Sequence, residues 1–200
     1  MDISKYINKG KKFQNLLHIF LECGNESESE YNKLIKHIKK QRIKENRSEI
    51  KVMLHLISKI SKNYHRGPNF FAKIEKILLF FENEIKQTFS NTELFNIFQN
   101  NKRILLFLFK NKILIIDKSI INLIFKKSDK SGTKYYHYFF PEIRDFIDRQ
   151  TMEQIENELK ELGPNMLSNF ERKRQIGEND SHLCEMIRND SYEEFIEYVN

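Results

Sequence analysis

Apolar residues in this chain recur at three- and four-residue spacing in one short run after another, separated by brief polar turns. That spacing lines up side chains on one stripe of a helix, and each stripe must find cover. Ile3, Tyr6, Ile7, Phe13, Leu16, Leu17 and Phe20 predict a helix over 2–21 capped by Asp2, which Gly10 dents. After a polar segment over 22–29, Leu34, Ile35 and Ile38 mark a second helix ending near Arg42. Asn46 or Ser48 caps a third, with Ile50, Met53, Leu54, Ile57 and Ile60 on its buried side. Arg66, Gly67, Pro68 and Asn69 make the clearest turn, because Gly accepts positive φ and Pro presets the φ that opens a helix. The stripe Phe71, Ile74, Ile77, Leu78, Phe81 and Ile85 then predicts one helix over 70–89, antiparallel to the third.

Ser90 with Glu93 reads as a capping box, opening a short helix with Leu94, Phe95, Ile97 and Phe98 inward. Asn100 and Asn101 break the chain, and 102–109 is a second short helix, apolar nearly all round, which requires cover on both sides. Residues 113–116 read as a connection. Asp117 caps a helix over 118–127 that buries Ile120, Ile121, Ile124 and Phe125. A loop is expected over 128–133, followed by an aromatic cluster, 135–140, that plugs a groove between helices, with Pro141 opening the next helix toward Arg149. An acidic helix over 152–162 stops at Gly163, Pro164 and Asn165, where a boundary is expected: an N-terminal helical region 1–165 and a second region 166–200. The second region reads as helices over 166–175, 180–188 and 191–199.

Composition agrees. Six Gly and three Pro in 200 residues argue against Gly-rich phosphate loops and turn-dense β folds, and 40% hydrophobic residues support a packed core. Cys23 and Cys184 stand far apart with no CxxC pair, so no disulfide framework or zinc knuckle is indicated, and a cytoplasmic, reducing location is expected. The longest apolar run, 104–109, has six residues, and the N-terminus lacks a signal-peptide pattern; no membrane span is expected. The net charge of +6 conceals a bipolar chain: residues 1–140 hold 27 Lys and Arg against 13 Asp and Glu, and 141–200 hold 7 against 15. With 25 Lys but 9 Arg, 20 Asn, 26 Ile and a single Ala, Ala72, the basic excess follows an A/T-rich coding bias more readily than a nucleic-acid surface, which favours Arg.

The helix pairs also recur. At a constant offset of 89 residues, Leu94, Phe95, Ile97, Phe98 and Asn100 match Leu183, Cys184, Met186, Ile187 and Asn189. In both places a short helix supplies apolar positions on two turns, Asn turns the chain and a second helix returns, which is the helical half of an ankyrin-like unit. The segment 174–200 resembles the start of the repeats in protist ankyrin-repeat protein families, and segments within 54–109 look like the non-repeat helical region, a domain of unknown function, that precedes them. The resemblance implies an all-α array of antiparallel helix hairpins, solenoid-like, ending in an ankyrin-like pair and binding a protein partner, with no catalytic, cofactor or metal residues to carry over. Further repeats normally follow that pair in the family, so the chain reads as a truncated coding sequence or a family fragment, with Phe195, Ile196, Tyr198 and Val199 forming an open, sticky end that predicts self-association or a missing C-terminal continuation.

Residues that bear chemistry fit the same picture. His18, His37, His55, His65, His137 and His182 show no metal-ligand spacing. Cys184 suits a small buried position, and Glu153, Glu156, Glu158 and Glu161 read as a hydrated face. Lys126, Lys127, Lys130 and Lys134 beside the 135–140 aromatics make the best case for the alternative, a basic nucleic-acid-binding module. The leading expectation is a non-enzymatic protein-interaction module without cofactor or metal, whose partner and interaction surface the sequence leaves unidentified.

Overall fold

The structure is a computed structural model that describes residues 3–23, 27–63, 68–131, 135–161, 174 and 196. It divides into two units, 1–146 and 147–200. Among the described residues every regular element is helical, as expected. The first unit holds α1 (Ile3–Glu22), α2 (Ser27–Lys40), α3 (Arg47–Asn63), α4 (Pro68–Phe80), α5 (Glu82–Thr88), α6 (Asn91–Phe98), α7 (Lys102–Lys110), α8 (Lys118–Ser131) and α9 (Tyr135–Ile143). Short 3-10 turns follow α2 at Ile43–Glu45 and α9 at Arg144–Phe146. The second unit contributes α10 (Arg149–Glu161), begun by Asp148, whose Oδ1 accepts from the Thr151 N–H at 2.9 Å.

Three capping signals work as the sequence predicts, by giving orphan N–H groups an acceptor. Asn46 Oδ1 accepts from the N–H groups of Ser48 and Glu49. Ser90 and Glu93 close a reciprocal box, with Glu93 Oε2 accepting from the Ser90 N–H and Ser90 Oγ from the Glu93 N–H. Asp117 Oδ1 accepts from Ser119 and Ile120. Pro68 stands at the first position of α4, where its missing N–H costs nothing.

Four expectations are corrected. The single helix over 70–89 is two, because at Phe81 (φ −103°, ψ 8°) the N–H is shared between Ile77 O and Leu78 O, both at 3.2 Å. Phe81, Ile85 and Phe89 stay buried across the break, so the apolar period runs on and hides it. Helix α2 starts at Ser27, inside the segment read as polar linker, since Glu28 and Glu30 suit a first turn. Helix α8 continues to Ser131, up to Gly132, through residues read as loop. The aromatic cluster is itself helix α9, with Pro141 inside it rather than at its start. Pro141 removes one i→i−4 donor, and α9 gives way to a 3-10 turn after Ile143. The turn at 66 and 67 and the ankyrin-like pair over 183–199 lie outside the described residues, apart from Ile196, which is helical.

One apolar core runs through the first unit from Phe13 to Ile143. Helix α7 is its centre: Ile104, Leu105, Leu106, Phe107, Leu108 and Phe109 are all buried, as an all-round apolar helix demands. Helices α1 and α2 pack together, and α1 also meets α4. Helix α6 touches α3, α7 and α8, and α9 touches α7 and α8. Polar ties fix the directions. At the start of α6, Glu93 takes an ion pair at 2.5 Å from Arg47, the first residue of α3, and Asn91 donates at 2.9 Å to Asp117, just ahead of α8. At its end, Ile97 O accepts from Ser58 Oγ in the later half of α3 (2.8 Å), and Asn100 Oδ1 accepts from Lys127 Nζ late in α8 (2.8 Å). Starts meet starts and ends meet ends, so α3, α6 and α8 lie side by side and run the same way.

Candidate interaction surface

Helices α4, α7 and α9 together carry a half-buried group of charged and aromatic side chains. Helix α4 presents Phe71 and Glu75 one turn apart, and its neighbour α7 presents Arg103. The Arg103 guanidinium carbon lies 3.7 Å from the centre of the Phe71 ring, a close cation–π stack. On α9, Tyr138 faces the same cations: Lys102 Nζ is 5.3 Å from its ring and equally far from that of Tyr135. Phe71, Glu75, Lys102, Arg103 and Tyr138 are each half-buried. They form a strip contributed by α4, α7 and α9, because α7 buries its middle and leaves only its ends for polar residues.

Charge in this strip is partly stripped of water. Burial raises the Glu75 carboxyl above the usual carboxylate range, although Arg103 and Lys110 pull it back. Burial likewise lowers the Arg103 guanidinium, against the field of Glu75. For both groups desolvation outweighs the attraction of the partner, which is the unfavourable side of partial burial. A partner that completes their desolvation must return hydrogen bonds or an opposite charge, which makes the strip selective. Arg and aromatic side chains are also the types that most often anchor protein contacts.

The 135–140 aromatics divide by depth. Tyr135 and Phe139 are 2% and 0% exposed, and the Tyr135 hydroxyl donates to Gln99 O at 2.8 Å. Phe139 meets Phe109 edge-on at 5.6 Å. These two rings belong to the core, which disfavours base stacking on them, whereas Tyr136, His137 and Tyr138 keep an accessible side. Of the nearby lysines, Lys127 is engaged with Asn100 and lies 5.5 Å from the Tyr135 ring, Lys126 is exposed, and the Lys130 side chain and Lys134 lie outside the described residues.

The histidines are dispersed. His18 pairs with Glu22 at 3.1 Å, His37 is buried on α2, His55 is exposed on α3, and His137 lies edge-on to Tyr136 at 4.8 Å; His65 and His182 lie outside the described residues. No group of three or more His, Cys, Asp or Glu among the described residues is placed to hold a metal ion. No helix among them is long and apolar enough to cross a membrane. On α10, Glu153 and Glu161 are exposed and Glu156 and Glu158 half-buried; Glu153 pairs with Arg149 at 2.7 Å. Cys184 lies outside the described residues.

Sequence reasoning missed the strip because its members are far apart in the chain. The available signal was local: Glu75 interrupts the apolar side of α4, and Arg103 directly precedes six consecutive apolar residues. Compared with family models, curated proteins and solved structures, the chain finds no match.

Proposed function

We propose that this chain is a non-enzymatic protein-interaction module, a solenoid-like stack of helix hairpins of ankyrin type that grips a protein partner along the strip formed by Phe71, Glu75, Arg103 and Tyr138. The observation that carries the reading is the parallel row α3, α6 and α8. Helix α7 packs on α6 and α9 on α8, and polar ties at both ends of α6 hold its neighbours α3 and α8 in register. Stacked hairpins expose a continuous ridge of equivalent positions, and that ridge is where such arrays bind. The ankyrin-like reading of 183–199 rests on its spacing alone.

A second reading, a basic nucleic-acid-binding module, draws on the charge of the first unit, whose residues 1–146 hold 28 Lys and Arg against 15 Asp and Glu. One experiment separates the two. A photo-crosslinking amino acid at Tyr138 is expected to capture protein from a lysate of the source cells, with capture lost in Arg103→Ala and little changed between about 50 and 200 mM salt. Capture of nuclease-sensitive material that collapses over that range would replace the first reading with the second.

A further inference from the structure

The end of α1 and the middle of α4 bring together the one free cysteine among the described residues and a buried lysine. Lys73 is 9% exposed, and its Nζ donates to Leu21 O at 3.3 Å and to Cys23 O. The same nitrogen lies 3.6 Å from Cys23 Sγ, whose own S–H donates to Phe20 O at 3.0 Å. Cys23 is half-buried, open to a small oxidant, and Lys73 is aimed at it by two carbonyls that it caps at the terminus of α1. Sulfur and nitrogen are therefore held only slightly beyond the roughly 3–3.5 Å of a near-attack arrangement, by bonds that do not involve the sulfur.

We propose that Cys23 and Lys73 form a peroxide-sensitive cross-linking site. Hydrogen peroxide transfers one oxygen to Cys23: its O–O bond breaks, sulfur is oxidised by two electrons to the sulfenic acid, and one water leaves. Lys73, having released its ammonium proton to solvent, attacks Sγ through its nitrogen lone pair. The S–O bond breaks, the hydroxyl departs as a second water with a proton from nitrogen, and a sulfenamide S–N bond remains. Thiol, amine and one peroxide thus become the linked pair and two waters. The link joins α1 to α4 across 50 positions of sequence, so it stabilises the N-terminal part of the core while it lasts. One thiol of a dithiol reductant attacks sulfur, breaking the S–N bond and freeing the Lys73 amine, and its second thiol then releases the Cys23 thiol as the reductant closes to a cyclic disulfide. The site does not depend on the interaction surface proposed above.

The test uses the full chain carrying Cys184→Ser, which removes the alternative disulfide. After brief peroxide treatment, mass spectrometry is expected to find the Cys23 and Lys73 peptides joined and about 2 Da lighter than their sum, separating again with dithiothreitol. The thermal midpoint should rise on treatment and fall back on reduction. Lys73→Arg, checked for helicity by circular dichroism, should give no link and leave Cys23 as a trappable sulfenic acid. The proposal fails if Cys23 in the folded Cys184→Ser chain oxidises without joining Lys73, or if the joined product is about 14 Da heavier, which would place an oxygen between sulfur and nitrogen.

Discussion

Asn101 shows how much one polar side chain organises. Its Oδ1 accepts from Ser61 Oγ at 3.0 Å, and its Nδ2 donates to Ser58 O and Ser58 Oγ at 3.1 and 2.9 Å, so the turn after α6 is fastened to α3. Ser58 and Ser61 are both buried. Removing the amide takes one partner from each of these groups, while Ser58 Oγ keeps Ile97 O and Ser61 Oγ keeps Ser58 O, and Asn101→Ala is expected to cost about 1 kcal/mol in urea unfolding. Glu75 makes the opposite case. Its carboxyl is raised by burial, so the charged form is disfavoured in the folded state and costs stability above the folded pKa. Glu75→Gln should therefore stabilise the protein slightly at pH 7. That gain should vanish below about pH 4, where an ordinary Glu is protonated in both states. Asp117 acts with the reverse sign: the Ser119 hydroxyl first, then Asn91 and two backbone N–H groups, lower its carboxyl. Its contribution is present above the ordinary carboxylate range and is lost as pH falls through its lowered value. Equal pH profiles for Glu75→Gln and the parent would contradict the account of Glu75.

At the scale of the element, caps were legible in the sequence and exits were not. An N-terminal cap is written in residue type, because an oxygen must stand at a fixed position: Asn46, Ser90 and Asp117 could be named from spacing. Ser90→Ala is expected to cost about 1 kcal/mol, and less where Arg47 already holds Glu93, as chemical denaturation would show. The exit of α7 lacks the glycine that often marks one. Two residues past the end of α7, Lys112 stands at φ 53°, while the N–H of Ile113 reaches back to Leu108 O at 2.9 Å and that of Lys112 to Phe109 O at 3.0 Å. That is a left-handed exit occupied by a residue with a Cβ, at a cost of roughly 1–2 kcal/mol. Lys112→Gly should recover up to about 1 kcal/mol, partly offset by the greater freedom of glycine in the unfolded chain. A loss of stability would mean that the Lys112 side chain does more than turn the chain. The break at Phe81 and the run of α8 to Ser131 were illegible for a related reason. The spacing of apolar residues gives no sign of the break or of the extra turn.

At the scale of the molecule, the core decides what can stand alone. The apolar cluster runs from Phe13 to Ile143 and lies within the first unit, and the ties that order α3, α6 and α8 join residues of that unit only. The sequence predicts a boundary at 165, where Gly163 and Pro164, outside the described residues, read as a helix stop, because a strong local breaker is the boundary signal that sequence offers. Contacts between distant residues, which it does not display, place the division after Phe146. A fragment of residues 1–146 is therefore expected to keep its helical circular dichroism and to unfold in one cooperative step, since hydrophobic burial and not chain length sustains such a unit. Within that fragment Leu108→Ala, which empties a fully buried site at the centre of α7, should lower stability by about 2–5 kcal/mol. It should also loosen α6 and α9, which pack on α7, and through the ties of α6 the row α3, α6 and α8. If the fragment instead unfolds gradually, with the Leu108→Ala change felt only by α7 in hydrogen exchange, the hairpins are independent units and the parallel row is not what holds them.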